Sequence, residues 1–485
     1  MTGISVPGPR RARLQLPGWV VVAAALAGAV LAGAAMTRDV RFGVGIALAL
    51  CFVPLVLMNV QLAIVLWVPT VSLIAVDALN AGLLAGMMIL VAWFGLLAAR
   101  RSRVAAAVVE QARTLIGVAA LILWMLLSIA WAEEPPIGSD LFFAWLIAGL
   151  IMLVIPTVLT DRLYLRLAVA AFVVGAVASV ALGLLGGAVE TAEGRVVGGI
   201  GDANVLAAGI MPAILLAVAL AVGARRVIVG ATALIAVVVL AMGLVATASR
   251  GGFVAALVGA VAVLVLAKRH RAWAVAFLLC TIGAIAAWFS VDAEAWQRVS
   301  DLREGSGTGR VELWNVAWQM WQNNPLVGVG LEAFRDNASA YVRAIGPLEY
   351  SAFLTEQPKV VHNTYLELLA ETGVVGLLLY VGVLTASLRC AWRAATIFER
   401  AGDLAMMALS RGTIAALVSM AAAIAFISGA ADRRLWVLIA LGPALLACAR
   451  RTAGSGLAST KPSAAPPPGL VTRTPVGAPT ARAPS

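Results

Sequence analysis

Long apolar segments, separated by short polar connections, occupy most of the chain. Each is close to the ~20 residues that a helix needs to cross the hydrocarbon core of a bilayer. Closed β-barrels also cross membranes, but their strands alternate apolar and polar residues, whereas these segments are apolar throughout. The pattern therefore predicts fourteen transmembrane helices, at residues 19–36, 42–58, 60–79, 81–99, 114–131, 141–160, 167–187, 205–223, 227–248, 251–267, 272–290, 364–388, 412–430 and 435–449.

Some early spans are closely joined, so twelve crossings are expected if one pair merges or is re-entrant. The predicted fold class is an all-α polytopic membrane protein with about 12–14 transmembrane helices and one large outer, periplasmic-side loop that contains short helices. The last residues are rich in Ala, Pro, Ser and Thr and cannot form a core. The predicted regions are a cytoplasmic N-terminal segment (1–18), a transmembrane region (19–290), an extracytoplasmic loop (291–361), a second transmembrane region (362–449) and a disordered cytoplasmic tail (450–485).

Composition agrees with this assignment. The chain is 62% hydrophobic and 12% charged, whereas about a quarter of the residues of soluble domains are charged. Its net charge of +11 would also suit a nucleic-acid partner. However, if Arg10, Arg11 and Arg13 lie in the cytoplasm, most of the other basic residues fall in inner connections and most acids in outer ones. This is the positive-inside distribution, so nucleic acid is excluded as a partner.

The long outer loop is where chemistry is expected, because function concentrates in long ordered loops on rigid scaffolds. Trp314, Trp318 and Trp321 recur at helical spacing between Gly309 and a stop at Asn324-Pro325. The spacing predicts a short amphipathic helix with an aromatic stripe. Such a stripe is typical of interfacial anchoring, and sugar stacking is the alternative.

The chain has two histidines, and they lie in different contexts. His270 belongs to a basic cluster that fits an inner connection. His362 precedes an apolar helix at the outer face, where backbone N–H groups and the helix dipole favour an anion. Helix capping and proton transfer are both open roles for His362.

Three arginines fall on the same predicted side as His362, although they come from different loops: Arg195, Arg250 and Arg310. Each alone could form a salt bridge or contact lipid phosphate. Together with the histidine, they predict a pocket for a phosphate or diphosphate beside a base.

Other catalytic schemes are poorly represented. The four cysteines lie in predicted spans, and the acidic pair Asp292 and Glu294 has no histidine near it in sequence. No nucleophile elbow, P-loop or histidine-pair zinc motif is present. The sequence thus predicts neither a metal nor another cofactor.

The residues that carry these features resemble the O-antigen ligase and O-antigen polymerase family of bacterial membrane glycosyltransferases. The resemblance covers about residues 195–385. Its motifs are Ala248-Ser249-Arg250-Gly251-Gly252-Phe253, Gly309-Arg310 with Trp314, Asn324-Pro325-Leu326-Val327-Gly328-Val329-Gly330, His362-Asn363-Thr364-Tyr365-Leu366-Glu367 and Glu371-Thr372-Gly373-Val374-Val375-Gly376.

The resemblance implies a multi-pass protein of the bacterial inner (cytoplasmic) membrane, with its active site on the outer face. Such an enzyme moves a glycan from a polyprenyl diphosphate carrier to an acceptor hydroxyl, in cell-surface polysaccharide biosynthesis, without a nucleotide sugar or metal. Its partners are the lipid-linked glycan donor, a glycan or glycolipid acceptor and membrane lipids. Arg250 and Arg310 would hold the diphosphate, and His362 would activate the acceptor or assist the leaving carrier. The candidate substrate-binding residues are Arg195, Asn204, Asn363, Arg335 and Trp314.

Two other classes of function remain open at this point. A lipid-linked glycan flippase or transporter is the main alternative. Ion-coupled transporters usually carry ionisable residues near the bilayer midplane, and their folds commonly contain inverted repeats. This sequence has no acid in mid-span and no visible internal repeat. A non-catalytic scaffold is the second. Within the enzyme class, ligase, polymerase and protein-glycosylating variants share these motifs.

Overall fold

The structure is a computed structural model that describes residues 50–73, 81–98, 103–133, 140–186, 195–268, 271–291, 310–345 and 360–459. These residues form helices and connections, without a strand in any of the ranges given. In chain order the helices are α1 (50–58), α2 (Val60–Trp67), α3 (Ala81–Ala98), α4 (Arg103–Glu110), α5 (Ala112–Ser128), α6 (Asp140–Val158), α7 (Arg162–Leu184), α8 (Ala203–Val222), α9 (Val227–Ala246), α10 (Arg250–Leu266), α11 (Arg271–Val291), α12 (Arg310–Asn323), α13 (Phe334–Ile345), α14 (Thr364–Arg400), α15 (Leu404–Ala423) and α16 (Arg433–Ser459).

The protein is an all-α polytopic membrane protein, as predicted. Nine helices in the described part of the chain are long and apolar enough to span a bilayer, and three shorter apolar helices lie among them. The first predicted span, 19–36, lies outside the described residues, as does residues 42–49 of the second. The large loop contains two short helices, α12 and α13, and α12 has the bounds that its tryptophan spacing predicted.

Small residues let the helix backbones approach closely. A Cβ added at Gly252 of α10 would lie 2.8 Å from the Cβ of Ala207 of α8, and one at Gly259 would lie 2.8 Å from Leu215. Large aromatic side chains fill the space farther along the bundle, where Trp145 and Trp436 meet edge to face with ring centroids 6.0 Å apart. This combination is typical of packed transmembrane helices, which gain contact area by placing small residues at their interfaces.

Charged side chains gather at one end of the bundle. Arg162 pairs with Asp403 at 3.2 Å, and Arg450 pairs with Glu110 at 3.4 Å. Each pair joins residues that the alternating topology places on the inner side. Arg195, Arg250 and Arg310 all lie at the opposite end, so the described helices alternate in direction as the charge pattern requires.

Helix α14 is broken at Gly373, whose φ of 67° interrupts the helical path. The turn at residues 325–330 fills the break and binds the backbone groups that the kink leaves without helical partners. Val374 N donates to Pro325 O at 2.9 Å, while Val329 N donates to Ala370 O at 3.0 Å and Gly330 N to Glu371 O at 2.8 Å. Such replacement bonds make a broken helix tolerable at membrane depth, where no water is available.

Several helix boundaries differ from the sequence prediction. Helix α2 ends at Trp67 and a short 3-10 helix follows to Ser72, so the span predicted at 60–79 is not one continuous α-helix. Helix α14 continues to Arg400 rather than residue 388, and α15 begins at Leu404 rather than residue 412. Helix α15 ends at Ala423 rather than near residue 430, because residues 424–431 form a turn that contains Ser428 and Gly429. Helix α7 begins at Arg162, five residues before the predicted span. Helix α16 continues to Ser459, past the residue 449 at which the sequence predicted the tail, since Arg450 and Arg451 bind Glu110 and Thr160 of neighbouring elements.

Candidate functional site

Three helices present their N-terminal ends to one small pocket, at the end of the bundle opposite the Arg162–Asp403 and Arg450–Glu110 pairs. The space within the pocket is about 210 Å³, including the part that is open to solvent. Asn204 lies at the start of α8, Ser249 caps α10, and Arg310 is the first residue of α12. Each N-terminus carries backbone N–H groups that lack partners within the helix and the positive end of a helix dipole. Asp202 and Ser249 each accept one of these N–H groups, at the starts of α8 and α10. The geometry therefore creates a site suited to an anion.

The remaining wall of the pocket comes from the end of α15 and the turn that follows it: Ala423, Phe426 and Ile427. Two glycines allow this wall to come close. A Cβ at Gly251 would lie 2.8 Å from Phe426, and one at Gly252 would collide with Ala207 and Leu244. Larger residues at these positions would push α10 away from α8 and α15, which explains why the arginine of Ser249-Arg250 is followed by two glycines.

Arg195 is fixed by hydrogen bonds to two other segments. Its Nε donates to the carbonyl of Thr247 at 2.8 Å, and its Nη2 donates to Oδ1 of Asn204 at 2.9 Å. The same Asn204 oxygen accepts the hydroxyl of Ser249 at 2.9 Å. Asn204 thus ties the start of α8 to the start of α10, and it holds the Arg195 guanidinium between them.

The guanidinium groups of Arg195, Arg250 and Arg310 act on each other. Burial lowers the pKa of Arg310 below its usual value, and the positive charges of Arg250 and Arg195 lower it further, while Asp202 opposes the shift. The positive charges of Arg195 and Arg250 thus act on Arg310, although the three residues come from separate connections. A bound anion would relieve this repulsion, and a shared site for the three arginines remains a prediction.

A fourth arginine, Arg434, is buried against α8 and forms an ion pair. Arg434, almost fully buried, packs against Gly209 of α8, and its Nε donates to Asp432 at 3.0 Å. Buried charges are usually paired in this way. Arg434 therefore has a structural role, in which it joins α8 to the start of α16 while it pairs with Asp432.

His362 is held in an uncommon backbone conformation next to this pocket. Its φ is 53°, in the left-handed region that non-glycine residues rarely adopt. The backbone N–H of His362 donates to Oγ of Ser428 at 3.1 Å. Thr364 binds the same turn, because its N–H and hydroxyl both donate to Ile427 O, at 3.0 and 2.8 Å. Since Ile427 also lines the pocket, one turn supports both His362 and the pocket wall.

Helix α12 provides a second link between the histidine and the arginines. The indole N–H of Trp314 donates to the carbonyl of Val361 at 3.2 Å, directly before His362. Arg310 precedes Trp314 by four residues on the same helix, so both side chains lie on one face. The helix thereby places Arg310 and His362 at the same end of the bundle.

The other predicted binding residues have different surroundings. Asn363 caps α14, and its side-chain oxygen accepts the N–H groups of Tyr365 and Leu366. The capping role considered for His362 therefore belongs to its neighbour. Arg335 is exposed on α13, and its charge acts on Glu367. Arg335 does not line the pocket formed by Asn204, Ser249 and Arg310, which we call the arginine pocket. For both residues, contact with substrate remains a prediction.

The tryptophan stripe divides into two parts. Trp314 faces inward to Val361 and is partly buried. Trp318 is 45% exposed, and its ring centroid lies 4.5 Å from that of Trp321. Of the three tryptophans, only Trp318 and Trp321 therefore lie on the outer surface of α12.

Sequence reasoning missed the contribution of the turn after α15. Phe426, Ile427 and Ser428 fall within a predicted span, so they were not considered as site residues. Ser428 also shares a side-chain hydrogen bond with Glu367 of α14, and the turn thus connects His362 to a partly buried carboxylate. The adjacent Ser428-Gly429 pair, unusual in an apolar segment, is the signal that could have revealed the turn.

The described structure is that of a polytopic membrane protein with a cationic pocket at one end of its helices. Residues 234–381 match a family model described as O-antigen ligase, and the match includes Arg250, Arg310 and His362. It supports assignment of the chain to the O-antigen ligase/polymerase family and an O-antigen ligase/polymerase-like membrane function. The family implies, in general terms, a lipid-linked glycan donor and a glycan acceptor. A comparison with curated proteins finds no match.

Proposed function

We propose that the protein transfers a glycan from a polyprenyl diphosphate carrier to an acceptor hydroxyl, with Arg250, Arg310 and His362 as the catalytic residues. The observation that supports this proposal is a pocket formed by helix N-termini and lined by Arg310, on which the charges of Arg250 and Arg195 act. A diphosphate has the charge and the number of acceptor oxygens to satisfy both kinds of donor. Its attached lipid tail would extend along the apolar helices below.

In the proposed reaction, the acceptor oxygen attacks the anomeric carbon of the donor sugar. The acceptor proton passes to the imidazole of His362, a glycosidic bond forms, and the bond between the sugar and the diphosphate oxygen breaks. The leaving diphosphate keeps the electron pair of that bond. Fixed arginines stabilise this developing charge because they are already oriented before reaction.

Arg195 and Asn204 have a supporting role in this proposal. Their bonds to Thr247 and Ser249 hold the starts of α8 and α10 together. We expect them to contribute to donor affinity through the shape and positive charge of the pocket. A fixed arrangement also lowers the entropic cost of bringing donor and acceptor together.

The test is a transfer assay with the full-length protein in proteoliposomes that contain a lipid-linked glycan and a glycolipid acceptor. Wild-type protein should yield a transferred or lengthened glycan, seen by mass spectrometry, and Arg310→Ala should not. Arg225→Ala, on an exposed connection at the opposite end, is the matched control and should retain activity. Movement of the donor between leaflets without any glycosidic product would contradict the proposal and favour a flippase.

A further inference from the structure

The turn at residues 325–327 carries two exposed apolar side chains in the middle of the large loop. Leu326 is 64% exposed and Val327 is 41% exposed. Loop tips in water usually carry polar residues. The turn contacts helix α14, and the depth of that contact in the membrane shows what surrounds these two side chains.

The partner of the turn, α14, has too short an uncharged stretch to span a membrane without its kinked end. After Glu371 the next charged residue is Arg389, so residues 372–388 are uncharged. Seventeen residues cover about 25 Å, whereas the hydrocarbon core is ~30 Å thick. An extension of the membrane segment to about residue 369 would supply the missing length, and it would include Glu371 and the kink at Gly373.

Helix α5 gives an independent measure of the depth. Trp124 donates its indole N–H to the carbonyl of Thr372 at 3.0 Å, beside the kink. Trp124 lies eleven residues beyond Arg113, the last charge before the apolar run of α5. That separation is about 16 Å, so the contact lies inside the apolar part of this helix. Both neighbours thus place the kink below the membrane surface.

The hydrogen bonds of the turn join it to α14 on both sides of the kink at Gly373. Pro325 O binds Val374 N, and Val329 N binds Ala370 O. Leu326 and Val327 lie between these bonds and point away from the protein. The two helices that meet at the kink also carry exposed apolar side chains close to it in sequence, at Leu123, one residue before Trp124 of α5, and at Leu378, five residues after Gly373 of α14. Exposed apolar surface therefore occurs both on the turn and on the two helices that meet at the kink.

We propose that residues 325–327 are inserted among the acyl chains of the membrane leaflet on the arginine side, so that the large loop is partly embedded rather than wholly aqueous. The inserted turn anchors the C-terminal end of α12, while Arg310 at its N-terminal end lines the arginine pocket. An amphipathic helix held in this way lies along the surface of the bundle. This inference does not depend on glycan transfer.

Fluorescence quenching of a single attached label tests the insertion. Cys51, Cys280, Cys390 and Cys448 are first replaced by serine or alanine, and bimane is attached to Leu326→Cys or Val327→Cys in separate variants. The full chain is reconstituted in vesicles of phosphatidylcholine and phosphatidylglycerol, with or without bromine on the acyl chains. Asp336→Cys, on the exposed face of α13, is the control.

Insertion predicts that brominated lipid removes most of the bimane fluorescence at positions 326 and 327, while aqueous iodide has little effect. The label at position 336 should show the opposite response. Quenching of both turn positions by iodide would place them in water and overturn the proposal. Protection from both quenchers would mean that a protein surface, such as a second copy of the chain, covers the turn, and it would also overturn the proposal.

Discussion

The hydroxyl oxygen of Ser428 accepts the backbone N–H of His362 at 3.1 Å, and it connects the turn after α15 to the start of α14. The bond holds His362 at a φ of 53°. Residues held in this region cost of order 1–3 kcal/mol, and they persist only where the surroundings enforce them. We infer that Ser428 sets the position from which the imidazole reaches the pocket.

Replacement of this hydroxyl should slow transfer without loss of the fold. Ser428→Ala removes the acceptor from the His362 N–H, and an unsatisfied backbone group costs ~1–3 kcal/mol. We expect about a tenfold lower kcat with a nearly unchanged KM for the donor, measured in the proteoliposome assay. Ser428→Thr retains the hydroxyl and should recover most of the rate. Equal activity of Ser428→Ala and wild type would show that the bond does not position the histidine.

His362 can be tested separately from its backbone conformation. Asparagine tolerates the left-handed region better than most residues, so His362→Asn preserves the local path and removes the imidazole. A positioned general base contributes ~10²–10⁴-fold, and we expect a kcat loss in that range for both His362→Asn and His362→Ala. His270→Ala serves as the control for the other histidine. Transfer at the wild-type rate by His362→Asn would remove the imidazole from the mechanism.

Arg250 tests whether the pocket needs a guanidinium or only a positive charge. Lysine retains the charge but lacks the planar fork that binds two phosphate oxygens at once. Arg250→Lys should therefore lower kcat/KM for the lipid-linked donor while insertion and unfolding temperature stay the same. The assay is initial rate against donor concentration, with Arg225→Lys as the matched substitution. Full activity of Arg250→Lys would reduce Arg250 to a structural contact.

Much of the fold was predictable because membrane helices are specified locally by length and apolarity. The placement of Arg195, Arg250 and Arg310 at one end was predictable for a related reason, because the alternating topology puts their three connections on the same side. The turn at 424–431 was not predictable in this way. It is apolar enough to continue a helix, and its shape depends on the hydroxyl of Thr364, which donates to Ile427 O and accepts the N–H of Gly429 only in the folded protein.

The kink in α14 is another feature that depends on contacts between segments distant in sequence. Gly373 in a Thr-Gly-Val sequence permits a break, but a glycine in a transmembrane helix often leaves it straight. The break occurs here because the turn at 325–330 supplies replacement hydrogen bonds from a segment some forty residues earlier. Sequence pattern identified both segments, in the motifs of the resemblance, without showing that one fills the other.

Gly373→Ala should therefore destabilise the protein much more than the same change elsewhere in α14. The position has a φ of 67°, and a Cβ would collide with the backbone of Leu326. Alanine at a positive φ costs more than ~1 kcal/mol even without a collision. Gly382→Ala is the matched control, because its Cβ would meet nothing within 4 Å. Thermal unfolding in detergent, followed by fluorescence, should show a lower midpoint for Gly373→Ala alone, and equal midpoints would contradict the role of the kink.

The charge of the arginine pocket can be changed without removing its hydrogen bonds. Asn204 Oδ1 accepts from both Arg195 and Ser249, and Asn204→Asp preserves an oxygen at that place while it adds a negative charge. Unit charges ~4 Å apart near a protein surface interact by up to ~4 kcal/mol before screening by salt. The aspartate should therefore strengthen the bond to Arg195 and weaken binding of a diphosphate. We expect a KM for the donor raised at least severalfold, an unfolding temperature equal to or above wild type, and a smaller defect at high salt.

Asn204→Ala, which loses both bonds, should instead lower the unfolding temperature. If Asn204→Asp leaves the donor KM unchanged at low salt, the pocket beside Arg195 does not hold the anionic part of the donor.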